Sequence, residues 1–186
     1  MTTRRTVRAA GLVALAAAAA LSLTAYQSGS SEASAAPVTK GSVSVTEAGA
    51  PVGSETLVDG STAEITKLGD LHYRAEIVSD GAVVATMEAD GHDAGLDANA
   101  MYVVLGVDGE IHSWTGGEHT GAGTHEIAGG WTAEVTKLGE QHYRADILDG
   151  EGAVVATMEA DGKDAGLDAN DSYIVLSTRG LISAHV

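Results

Sequence analysis

The chain has 186 residues, with 26 Asp and Glu against 10 Lys and Arg, a net charge of −16, and neither cysteine nor phenylalanine. That charge excludes nucleic acid and anionic lipid surfaces as partners, because both require clustered Lys and Arg, and the missing cysteine excludes disulfides and thiol chemistry. The core must then be built from Val, Ile, Leu, Ala, Met and a few Tyr, and small aliphatic side chains need many strands in register to bury enough area.

Arg4, Arg5 and Arg8 precede an uncharged run from Ala9 to Ala25 dominated by Ala, Leu and Val. This is the pattern of an export signal, a charged region followed by an apolar one. The run is short and weakly apolar for a membrane span, so no stable membrane insertion of the mature chain is expected. Ala33-Ser34-Ala35 supplies the small residues of a peptidase site, which makes residues 1–35 a removable signal and residues 36–42 a flexible tether. Thr3-Arg4-Arg5-Thr6-Val7 loosely matches a twin-arginine signal, which leaves the export route open. Leu23-Thr24-Ala25, followed by the Ser/Gly-rich Gln27-Ser28-Gly29-Ser30-Ser31, resembles the signal of bacterial lipoproteins. The resemblance implies a lipidated cysteine next in line, where this chain has Tyr26, whose phenol cannot form the thioether. The expectation is a protein secreted or loosely associated with the cell surface. Beyond residue 35 there remain seven basic and 25 acidic residues, a net charge of −18.

The rest of the chain says everything twice, at a period of about 70 residues, the mark of a duplicated structural unit. Thr62-Ala63-Glu64-Ile65-Thr66-Lys67-Leu68-Gly69 returns as Thr132-Ala133-Glu134-Val135-Thr136-Lys137-Leu138-Gly139. His72-Tyr73-Arg74-Ala75 returns as His142-Tyr143-Arg144-Ala145, and Gly81 to Gly91 returns unchanged as Gly152 to Gly162. Between them Ser79-Asp80 has become Asp149-Gly150-Glu151, a one-residue insertion of the kind a surface turn tolerates. The copies span residues 43–112 and 113–186, with no linker-like stretch between them.

Within a copy, Ala63 and Ile65 alternate with Glu64 and Thr66, and Tyr73, Ala75 and Ile77 alternate with His72, Arg74 and Glu76. A period of two sends one set inward and the other to solvent. Leu68-Gly69-Asp70, Ser79-Asp80-Gly81 and Val107-Asp108-Gly109 read as turns. Ala82 to Ala89 reads as a buried strand, and Met101 to Val107 with Glu110 to Trp114 as a closing hairpin. The predicted fold is all-β: two tandem pseudo-repeats of an antiparallel meander of five or six strands. Without disulfides such a small unit is marginal alone, which favours one pseudo-twofold sandwich or barrel over two beads.

Four constellations could carry chemistry. The repeated segment from Asp90 to Asn99, matched by Asp161 to Asn170, offers Asp90, Asp93, Asp97 and Asn99, and again Asp161, Asp164, Asp168 and Asn170, as oxygen donors for calcium. The spacing is not that of an EF-hand, and the plainer reading is a polar connection whose side chains cap backbone amides. His72 and Arg74, with His142 and Arg144, share one strand face and are the candidate ligand contacts. His112, His119 and His125, beside Glu118 and Glu126, could hold zinc if strands brought them together, although solvated histidines explain them too. Trp114 and Trp131 fit packing between the halves better than a sugar platform.

Nucleophile and phosphate-binding signatures are missing, and Glu88 and Glu159 sit in matching contexts, whereas acid and base roles need environments that differ. The chain therefore reads as a non-enzymatic monomer that needs no cofactor and binds an extracellular or cell-wall ligand. A calcium-dependent β module is the alternative and a small secreted hydrolase the third.

Overall fold

The computed structural model describes residues 49–186. The signal, the tether, Tyr26 and the start of the first copy lie outside the described residues. Among the described residues, fifteen strands account for most of the backbone, and the one helical element is a single 3₁₀ turn, Ala128–Gly130. In order they are β1 (Ala50–Thr56), β2 (Thr62–Gly69), β3 (His72–Ser79), β4 (Ala82–Asp90), β5 (Ala94–Ala98), β6 (Met101–Leu105), β7 (Ile111–Thr115), β8 (Glu118–Thr120), β9 (Gly123–Ile127), β10 (Trp131–Gly139), β11 (His142–Leu148), β12 (Val154–Asp161), β13 (Ala165–Ala169), β14 (Ser172–Leu176) and β15 (Leu181–His185). All pairings are antiparallel.

They form three sheets. β1-β2-β3-β4 and β12-β11-β10-β9 are four-stranded meanders, and β7-β6-β5-β13-β14-β15-β8 is a seven-stranded sheet that draws strands from both copies. The sheets curl into a half-barrel. Corresponding hairpins share a register: Lys67 faces Tyr73 and Thr66 faces Arg74 on β2–β3, as Lys137 faces Tyr143 and Thr136 faces Arg144 on β10–β11.

Alternation decides what each face does. Ala63, Ile65, Tyr73, Ala75, Ile77, Met87 and Ala89 turn inward and meet Met101, Val103 and Leu105 of β6. Ala133, Val135, Tyr143, Ala145, Ile147, Met158 and Ala160 do the same against Ile174 and Leu176 of β14 and Ile182 of β15. The other face of the seven-stranded sheet closes over a third cluster, Tyr102, Val104, Trp114 and Val175. Both faces of β6 are therefore covered, which is why all five of its residues are buried. Each large aliphatic side chain so buried is worth about 1.5–3 kcal/mol. The two tyrosines seat against turn glycines: a Cβ on Gly109 would lie 2.5 Å from the Tyr73 ring, and one on Gly180 would come as close to Tyr143. Both glycines also have positive φ, 89° and 76°, so the residue type is required twice over.

The copies cross where β5 meets β13 at the pair Ala94–Ala165. A Cβ on Gly95 or Gly166 would collide with the backbone carbonyl of Ala165 or Ala94 respectively, so only glycine permits this approach.

Two sequence expectations need correction. The Asp90–Asn99 segment and its copy are not wholly irregular: Ala94, Leu96 and Ala98 of β5 face the core while Asp97 turns to the opposite face. The acids among small residues disguised a period of two. The Ala82–Ala89 run is not buried throughout either, because β4 is an edge strand whose first half overhangs the core, leaving Val83 55% and Val84 61% exposed.

Candidate functional site

The segment flagged for calcium builds the crossing itself. Asp93 accepts the Val107 amide on Oδ1 at 3.0 Å and the Asp168 amide on Oδ2 at 2.9 Å. Asp164 accepts the Thr178 amide at 2.8 Å and the Asp97 amide at 2.9 Å. Each carboxylate thus holds a hairpin turn of its own copy and a strand of the other. Asn99 and Asn170 sit in the tight turns β5–β6 and β13–β14 at φ 54°, the left-handed conformation such turns demand. Asp90 and Asp161 end β4 and β12 on the exposed side. Among the described residues no three or more His, Asp or Glu side chains are arranged to hold a metal ion.

Asp97 and Asp168 occupy corresponding positions with opposite surroundings. The Asp97 side chain is 1% exposed and pairs with Arg179 at 2.5 Å. Its Oδ1 and the hydroxyl of Tyr102 are buried with no hydrogen-bond partner among the described residues. Burial, with the charges of Glu118 and Asp97, pushes the Tyr102 phenol up to about 12. Where Arg179 stands in the second copy, the first has Asp108. Burial first, then Asp93, Asp108, Asp171 and Glu110, raise the pKa of Asp168.

His72 and Arg74 do share a face, and both meet Glu88 of β4, at 2.6 Å and 3.1 Å. The hydrogen bond from His72, then Arg74, outweigh desolvation and hold Glu88 below its ordinary pKa. His142 repeats the contact with Glu159 at 2.6 Å, whereas Arg144 turns to Asp146 at 2.9 Å. These groups are exposed or half-exposed ion pairs, each worth at most about 1 kcal/mol, and the structure does not bring the two sets together in one site.

The three histidines of residues 112–125 separate. His119 stacks on His125, ring centres 5.3 Å apart, and His125 bonds the Gly121 carbonyl. His112 of β7 instead meets His185 of β15, with Nε2 to Nδ1 at 3.1 Å. Trp114 is buried between the halves, donating Nε1–H to Ser183 Oγ at 2.8 Å. Trp131 stays within its own copy and donates to Ser172 at 3.2 Å.

Sequence reasoning missed a groove of about 540 Å³ between the copies. Gly91, His92, Asp93 and Val107 form one side; Thr157, Met158 and Glu159 of β12, with Ala165 to Leu167, form the other. β12 is an edge strand of its sheet. The groove therefore combines an open strand edge, apolar Val107, Met158 and Leu167, and acidic Asp93 and Glu159. No family model and no curated protein matches the chain.

Proposed function

We propose that the protein is a secreted, non-enzymatic binding module that takes up an extended basic polypeptide segment along β12. The observation that carries this reading is the groove between the copies, walled on one side by an edge strand. An edge strand offers backbone donors and acceptors to an incoming strand, while side-chain pockets select alternate residues. Val107 and Leu167, both half-buried, suit apolar residues of the visitor, and the exposed Glu159 suits Lys or Arg. The 24 acidic residues among 49–186, against six basic, draw such a ligand in. Export and release from the cell rest on residues 1–35, and processing after Ala35 would leave Ala36 as the first residue of the protein in culture medium.

The test is calorimetric titration of residues 36–186 with a synthetic octapeptide of alternating Val and Lys. Saturable binding that weakens as salt rises past about 0.1 M, and that Thr157→Trp blocks by filling the groove, is the expected result. Absence of saturable binding at millimolar peptide, or binding indifferent to Thr157→Trp, refutes it.

A further inference from the structure

We propose that His112 and His185 form a two-imidazole site for a divalent transition-metal ion of the zinc or copper class, separate from the groove. Two nitrogens that each bind one ion at about 2.0–2.1 Å lie about 2.9 Å apart at a right angle and about 3.4 Å apart at the tetrahedral angle. The observed separation of Nε2 of His112 and Nδ1 of His185, 3.1 Å, falls inside that interval. A modest rotation of the exposed His185 ring turns its lone pair from His112 to a shared ion.

The surroundings are those of a cation site. His112 is held flat against Tyr173, ring centres 4.0 Å apart and 13° from coplanar, so one ligand is already oriented. Asp168 faces Tyr173 across the β13–β14 pair, and Asp171 and Glu110 stand two residues before Tyr173 and His112, so a dication at the pair has carboxylates nearby. Two protein donors leave coordination positions open to water, and imidazole suits zinc and copper, with copper bound more tightly. His112 of β7 belongs to the first copy and His185 of β15 to the second, so the ion would fasten the copies together on the exposed side.

Trp114 makes the site visible, because its ring centre is 5.9 Å from that of His112 and 6.1 Å from that of His185. In a Trp131→Phe background, Cu²⁺ at the pair quenches the emission of Trp114. The experiment is titration of residues 36–186 with Zn²⁺ by calorimetry and with Cu²⁺ by fluorescence at pH 7.5. One equivalent is expected, weakened at least tenfold by His112→Gln and by His185→Gln and retained when His119 and His125 are both changed to Gln. His185 is exposed, so His185→Gln remains decisive should His112→Gln fail to fold by circular dichroism. Failure of the wild-type chain to bind either ion at millimolar concentration overturns the proposal, as does an equivalent that survives His185→Gln.

Discussion

Replacing Asp93 by Ala removes two hydrogen bonds at once, to the amides of Val107 and Asp168. A hydrogen bond to a charged group contributes about 1.5–3 kcal/mol, and two would give about 3–6 kcal/mol if fully buried. Both are part-buried, so water recovers some of the loss, and about 2–4 kcal/mol is the expected destabilisation. For a chain of this size that is a fall in Tm of about 6–15 °C. The assay is urea and thermal unfolding of wild type and Asp93→Ala, run in EDTA and again in millimolar calcium. If the carboxylate serves the backbone, the loss is the same in both buffers. A double-mutant cycle with Asp164→Ala should show coupling, because both residues brace the same crossing. A loss below about 0.5 kcal/mol refutes this reasoning. A loss seen only with calcium present refutes it too, since a bound ion stabilises the folded state by mass action.

Three further outcomes follow from the packing. Gly95→Ala should cost at least about 2 kcal/mol by urea unfolding, because its Cβ has no room against the Ala165 carbonyl, whereas Gly53→Ala, with nothing within 4 Å, should change little. At corresponding places the first copy has Ser61 and Met101, the second Trp131 and Ser172; Trp131→Ser should cost about 3 kcal/mol or less, since the ring is half-buried, and adding Ser172→Met should restore at least about 1 kcal/mol of it. Asp168 has a raised pKa in the folded state, so the fold binds its proton more tightly than the unfolded chain and loses stability as pH climbs from 3.8 through the folded value. Asp168→Asn should accordingly match wild type at pH 3 and melt higher at pH 7, and a lower Tm at pH 7 would contradict the sign.

The inward sets Ala63/Ile65 and Tyr73/Ala75/Ile77 could be read from alternation because that signal is local. So could the turn at Asp80-Gly81, where both residues take positive φ. The exposure of Val83 and Val84 could not, since it depends on how far a distant sheet extends beneath β4. The strand nature of β5 was hidden by Asp97, which reads as a turn residue until Arg179 is known to meet it across the fold. A usable hint was present: Gly95 and Gly166 recur inside Ala-rich runs, and glycine within a strand marks close backbone approach. The groove and the His112–His185 contact join residues from both copies, and no spacing along one copy announces them. For Asp93 and Asp164 the segment was legible, and capping of backbone amides was among its readings, but the reach into the other copy was not.

Because Asp93 and Asp164 each finish a turn at home and a strand next door, neither half of this chain has a complete set of bonds by itself. Half a chain would carry a carboxylate without its second amide and a β5-type strand with a bare flank, and would have to recruit another half from solution. Covalent duplication replaces that search with an internal encounter at an effective concentration of about millimolar. The joined chain thereby keeps its assembled state at any dilution, which a pair of separate halves could not do.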